Sequence, residues 1–224
     1  MPPFLALCLL ASRLSAQASM PVLVELYTSQ ACSSCPPAEA LLALWDRTQP
    51  VPGKRIVPLV FHVDYWDPLG WKDPHAQAAF SQRQQAYADR RGDGKVYTPQ
   101  AIINGQRACV GQAQPCVLAA VQAARTQSLD LTLKGGLLGI QGLDPGLPLF
   151  VAVTQDGQVD QISGGENQGR RARGHATVTR FFAVPCAGPA ARAALGRLPG
   201  RGTVVAFQCE APQGRVLRAG WLPY

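Results

Sequence analysis

A chain of 224 residues with 47% hydrophobic side chains has enough apolar surface to bury one large core or two small ones, which excludes a disordered segment. Its formal charge of +7 comes from scattered basic residues, with only Arg170, Arg171 and Arg173 close together. That dispersion excludes the dense basic stripe of a nucleic-acid surface, and no nucleic-acid partner is expected.

Residues 4–11 form an apolar run too short to span a bilayer, and Ala16-Gln17-Ala18 follows as a small-x-small site. The pattern predicts a signal peptide over residues 1–18, although no Lys or Arg precedes the run; a disordered or core-docked N-terminus is the alternative. Leu7 before Cys8 is not the small residue of a lipoprotein signal, so no stable membrane anchor is expected. Without Cys8 the chain keeps Cys32, Cys35, Cys109, Cys116, Cys186 and Cys209. Their order suggests the pairs 32–35, 109–116 and 186–209 among the fifteen that six cysteines allow. Structural disulfides persist in oxidising compartments, so a periplasmic or secreted location is expected.

Residues 22–27 read as a buried strand that leads through Thr28-Ser29-Gln30 into Cys32-Ser33-Ser34-Cys35. A helix follows, with Pro36 and Pro37 in its first turn and Ala38, Leu41, Leu42 and Trp45 on one face. Residues 56–63 read as a second strand, where Pro58 hints at a bulge or an early strand position. Residues 73–91 are helical in pattern, and 101–103 form a short strand turned by Asn104-Gly105 into 106–110. A helix is predicted from about 115 to 127. Beyond Ser128 the pattern becomes short strands: Leu129, Leu131 and Leu133 alternate, and Asp156-Gly157 is expected to join 149–154 to 158–162 as a hairpin. Strands at 177–184, 203–208 and 215–220 complete a β-rich unit over 128–224, either a small sandwich or a sheet packed on the first domain.

A CxxC between a strand and a helix places its first thiol at the helix N-terminus, where free N–H groups and the macrodipole favour thiolate. Cys32 is expected to be the exposed nucleophile and Cys35 the resolving thiol one turn in. Ser33 and Ser34 add hydroxyls but no positive charge. No second CxxC or HxxxH accompanies the pair, since the histidines are His62, His75 and His175, so no metal is expected; an inert disulfide is the bland alternative. His62 and Asp64 alternate along one strand, and Trp66 keeps that phase, so the three are candidates for a substrate groove, with a structural histidine as the alternative. Tyr65, Trp66 and Trp71 read as a lid or as core anchors.

Glu25-Leu26-Tyr27, the CxxC with Pro36, and Thr98-Pro99 together resemble the thioredoxin superfamily over residues 20–127. The longer pattern adds residues 24–37, 61–67, 97–100 and 165–170, and it is similar to an exported bacterial thioredoxin-like family known as domain of unknown function 1223. The resemblance implies an α/β fold, with a thioredoxin-like domain over 19–127 followed by the β-rich unit. It implies that Pro99 is a cis-proline facing the CxxC and that Thr98 offers backbone groups to a substrate chain. It also matches Glu25 to a buried acid that relays a proton to Cys35, with a structural pairing to an Arg or polar group as the other reading. The expected function is an exported thiol-disulfide oxidoreductase without cofactor, acting on exported protein thiols or disulfides or small thiols, with an unidentified redox partner. The alternatives are a copper-binding protein using Cys32, Cys35 and His62, and a non-catalytic binding module.

Overall fold

The computed structural model describes residues 19–224, so the signal peptide expected over 1–18 lies outside the described residues. β1 (Met20–Thr28) buries both faces, with Val22, Val24 and Leu26 on one side and Leu23, Glu25 and Tyr27 on the other. Burial on both faces is what a central strand requires. β1 pairs in parallel with β2 (Lys54–His62) and antiparallel with β3 (Gln100–Ile103), which turns through Asn104 (φ 46°) and Gly105 (φ 69°) into β4 (Arg107–Val110). Two successive positive φ values are the signature of the predicted hairpin turn. Gly105 is also sterically required, because a Cβ there would lie 2.1 Å from the Gly214 carbonyl oxygen.

Helices α1 (Cys35–Thr48) and α3 (Gln114–Ala123) cover one face of this sheet, and α2 (Ala78–Arg91) covers the other. α2 begins five residues later than the pattern suggests. Asp73 Oδ1 accepts the His75 N–H at 2.9 Å, and with Pro74 it holds 73–75 as a turn instead of a first helical turn. α3 ends early because the Lys54 and Arg125 side chains take the carbonyls at its C-terminal end and the chain leaves to form β5 (Gln127–Ser128).

The long strands of the β-rich half do not form a separate sheet packed against the first. β11 (Thr177–Val184) pairs in parallel with β2 at Thr177–Val60, and β8 (Leu149–Gln155), β13 (Thr203–Cys209), β14 (Val216–Pro223) and β5 continue outward. The result is one nine-stranded sheet in the order β4-β3-β1-β2-β11-β8-β13-β14-β5 within a mixed α/β fold, with three α-helices among the described residues. β2 meets β11 only at Val60, so the side of β2 turned away from β1 is unpaired at Pro58, where a proline costs no ladder bond. One face carries a continuous cluster from Tyr27 and Phe61 to Phe150, Phe181 and Phe207.

Two smaller sheets sit beside the main one: β12 (Ala190–Ala194), β7 (Leu137–Gln141) and β6 (Asp130–Lys134), and the ribbon of β9 (Val159–Gln161) with β10 (Arg171–Arg173). The hairpin expected at Asp156-Gly157 is therefore corrected, since β8 pairs with β11 and β13 while β9 pairs with β10. Asp156 bonds instead to the neighbouring chain, accepting from Ala176 N through Oδ1 and donating its own N–H to Arg201 O.

The cysteine pairing is also corrected. Cys32–Cys35 and Cys109–Cys116 are bonded, while Cys186 and Cys209 are free. The strand alternation of β13 explains the difference. Gln208 turns toward Cys186, with Nε2 3.5 Å from its sulfur, whereas Cys209 points into the aromatic cluster on the opposite face. Among the described residues no helix is long and apolar enough to cross a membrane.

Candidate functional site

The β1–α1 junction carries the CxxC. Cys35 is the first residue of α1, and Cys32 Sγ lies 3.3 Å from Ser34 Oγ. Cys32 has no exposed surface, contrary to the expectation of an exposed nucleophile, while Ser33 and Ser34 are exposed. A strap formed by residues 164–170, between β9 and β10, docks against the motif. Glu166 Oε2 accepts the Ser33 N–H at 2.9 Å and the Ser33 hydroxyl at 2.7 Å. Asn167 Nδ2 donates to the carbonyls of Gln30 at 2.9 Å and Cys32 at 2.8 Å. These donors, the Ser33 backbone first, hold the Glu166 carboxyl below the usual carboxylate range.

Glycine makes the docking possible. A Cβ on Gly164 would lie 1.9 Å from the Gly70 carbonyl oxygen, and Gly165 takes φ +69° with Ala31 Cβ 3.1 Å from where its own would be. Trp71 packs against Gly165 and donates its indole N–H to Gln30 Oε1 at 3.0 Å.

The Thr98–Pro99 peptide is cis, and Pro99 is buried on the α1 side of the sheet. Pro99, Ala38 and Leu26 side chains crowd around Gly111, within 3.0 Å of where its Cβ would sit. Thr98 Oγ1 accepts the indole N–H of Trp66 at 2.9 Å, so Trp66 anchors the cis-proline loop.

Glu25 is not beside the CxxC. It projects into the face covered by α2, where Arg83 binds both its oxygens at 2.9 Å and the hydroxyls of Tyr27 and Tyr87 donate at 2.9 and 2.7 Å. Strand parity decides this: Leu26, not Glu25, faces α1. The expected proton relay is replaced by the paired-carboxylate reading. Arg83 in turn lies in a ring of aromatics, with its guanidinium carbon 4.4 Å from the Phe181 centroid and 5.1 Å from that of Tyr87.

The shared face expected for His62, Asp64 and Trp66 breaks because β2 ends at His62. Asp64 turns to α2, where it accepts the Ser81 hydroxyl, and Trp66 goes to Thr98. His62 alone stays at the site, buried, with Nδ1 donating to Asp73 Oδ2 at 2.7 Å. Burial disfavours the charged ring, but the hydrogen bond and charge of Asp73 outweigh it and raise the His62 pKa above its ordinary value. Asp73, despite its own desolvation, is held low by His62 and by the N–H groups of Gln30 and His75.

Sequence reasoning did not find the second histidine layer. His75 lies edge-on to His62, with centroids 5.3 Å apart, and its Nε2 meets Asp160 Oδ2 at 2.8 Å. All three histidines line a cavity of about 230 Å³ between α1, the end of β2 and the 162–177 segment. Pro36, Gln30 and Asn167 bring its wall to the edges of the CxxC. The chain pattern carried one usable signal, the basic cluster Arg170-Arg171-Arg173, which forms part of the same wall. Among the described residues no three His, Cys, Asp or Glu side chains are grouped to hold a metal ion, and Cys32 and Cys35 are joined in a disulfide.

No curated protein matches the chain. Its fold is similar to that of an X-ray structure of a protein from Agrobacterium tumefaciens, at 24% identity and TM-score 0.71, covering 93% of this chain and 95% of that one. It is also similar to HBP35 of Porphyromonas gingivalis, at 14% identity and TM-score 0.58, covering 91% of this chain and 75% of that one. A family described as protein of unknown function, DUF1223, matches residues 23–206, and the chain belongs to that family.

Proposed function

We propose that the chain is a thiol-disulfide oxidoreductase of thioredoxin-like build, acting in the periplasm or outside the cell on exported thiols or disulfides. What supports the reading is the Cys32–Cys35 pair, joined to each other where β1 hands over to α1, with Cys35 opening the helix. In the reducing direction a Cys32 thiolate attacks a substrate disulfide RSSR′; a Cys32–SR bond forms and R′S⁻ leaves. Cys35 then gives its proton to R′S⁻ and attacks the Cys32 sulfur, closing the disulfide and releasing RS⁻. Two electrons pass to the substrate, and an external dithiol partner restores the reduced pair by the same exchanges in reverse. Glu25, held by Arg83 on the other face, takes no part.

Insulin reduction by the protein with dithiothreitol tests the activity, and trapping tests the roles. Cys35→Ala is expected to accumulate mixed disulfides through Cys32, and Cys32→Ala to trap nothing. No acceleration of insulin reduction and no trapped partner from Cys35→Ala would overturn the proposal. The pair would then be a staple, consistent with the complete burial of Cys32 beneath the strap.

A further inference from the structure

The basic cluster and the cavity belong together. Arg171 and Arg173 lie on alternate positions of β10, both exposed, and line the cavity with Arg170. None of the three forms an ion pair among the described residues, unlike Arg83, Arg91 and Arg218. On the opposite wall Glu39 of α1 offers a carboxylate, one oxygen of which accepts the Thr28 hydroxyl. Ala40, Ala43, Val60 and Ile162 supply apolar surface in the same lining. Such a site fits a molecule that carries both carboxylate and ammonium on a short apolar body.

The volume narrows the class further. At about 230 Å³ the cavity falls below the ordinary range of roughly 300–1,000 Å³ for drug-sized ligands, which suits a small molecule better than an extended polypeptide. Its position relates it to the motif: Asn167, which bonds the Cys32 carbonyl, and Pro36, which follows Cys35, both stand in its wall, while the two buried cysteines do not line it.

We propose that this cavity binds a small amino-acid-based thiol or its disulfide, the carboxylate on Arg171 and Arg173, the ammonium on Glu39, and the sulfur toward the CxxC. The inference rests on the redox reading above and names its substrate class. Arginine supplies paired donors for the carboxylate, and binding of this kind weakens with salt.

The probe is S-methylglutathione, whose capped sulfur cannot exchange, titrated calorimetrically into the full-length oxidised protein. Saturable binding is expected, weakened about tenfold or more by Arg171→Ala with Arg173→Ala, by esterifying the probe's carboxylates, and by added salt. Both arginines are exposed on a ribbon edge, so the double variant keeps its fold, which its circular dichroism will verify. Glu39→Gln is expected to weaken the probe but not its N-acetyl derivative. Absence of saturable binding up to about 10 mM, or equal binding by the double variant, overturns the proposal. Insulin reduction does not depend on the probe. Binding without insulin activity removes the redox reading alone, and insulin activity without binding removes the substrate class alone.

Discussion

The Glu166 carboxylate and a Cys32 thiolate want the same donors. Pro36 and Pro37 leave α1 without N–H groups at those positions and the Cys35 N–H goes to the Cys32 carbonyl, so the Ser33 N–H matters to a thiolate, yet it is already given to Glu166, which also brings a like charge. Glu166→Gln is therefore expected to make reduced Cys32 more acidic and to speed its alkylation at neutral pH about threefold or more. Lowered pH acts similarly on the strap. Because the folded carboxyl titrates below its unfolded value, the contact is intact above the ordinary Glu value of about 4.3 and is lost as pH falls through the lower folded one. Limited proteolysis within 164–170 is expected to increase across that acid window. Of the two free cysteines among the described residues, half-buried Cys186 is expected to label in the native protein. Cys209, whose thiol burial pushes up to about 12, is expected to label only on unfolding, as mass spectrometry would read. The CxxC was legible because adjacent residues define it, and the cis-proline only through the family resemblance, since local sequence leaves most X-Pro bonds trans. Glu166 and Asn167 were visible as part of a family pattern but without a role, since their partners lie more than a hundred positions away in sequence.

At the scale of elements, α2 is tied to β1 through charge rather than shape alone. Arg83→Met leaves the Glu25 carboxylate buried without a counter-charge, and a loss of about 3–5 kcal/mol is expected in urea unfolding. Adding Glu25→Gln to that variant is expected to recover part of the loss, because no unpaired charge then remains. The His62–Asp73 pair ties the end of β2 to the loop before α2, and its pH dependence has two limbs. The His62 value is raised, so its contribution is complete below the ordinary histidine value of about 6.5 and drains as pH rises through the folded one. Asp73 is lowered, so its contribution is lost as pH falls through its folded value. The stability gap between wild type and His62→Asn is expected to shrink at alkaline pH. Periodicity located β1, α1, the β3–β4 hairpin and the long strands of the second half. It misjudged the start of α2 and the partner of β9 because side-chain bonds from Asp73 and Asp156 overrode local pattern.

For the whole molecule, the shared sheet makes residue 128 a change of composition and not a seam. Strand order in space is set by contacts distant in sequence, so alternation revealed strands but could not reveal that β11 joins β2. Residues 19–127 expressed alone would expose the outer edge of β2 and the aromatic cluster around Tyr27 and Phe61. That fragment is expected not to fold, and the full chain to melt in one calorimetric transition; two resolved transitions would refute this. The strap adds a consequence in time. Ser33 and Glu166 are separated by 133 positions, so on the ribosome the motif is made well before its cover. At about 5–20 residues per second that interval lasts roughly 7–27 s. Throughout it the pair lacks the strap's hydrogen bonds, so any exchange with an oxidant or thiol that the nascent chain meets comes before them.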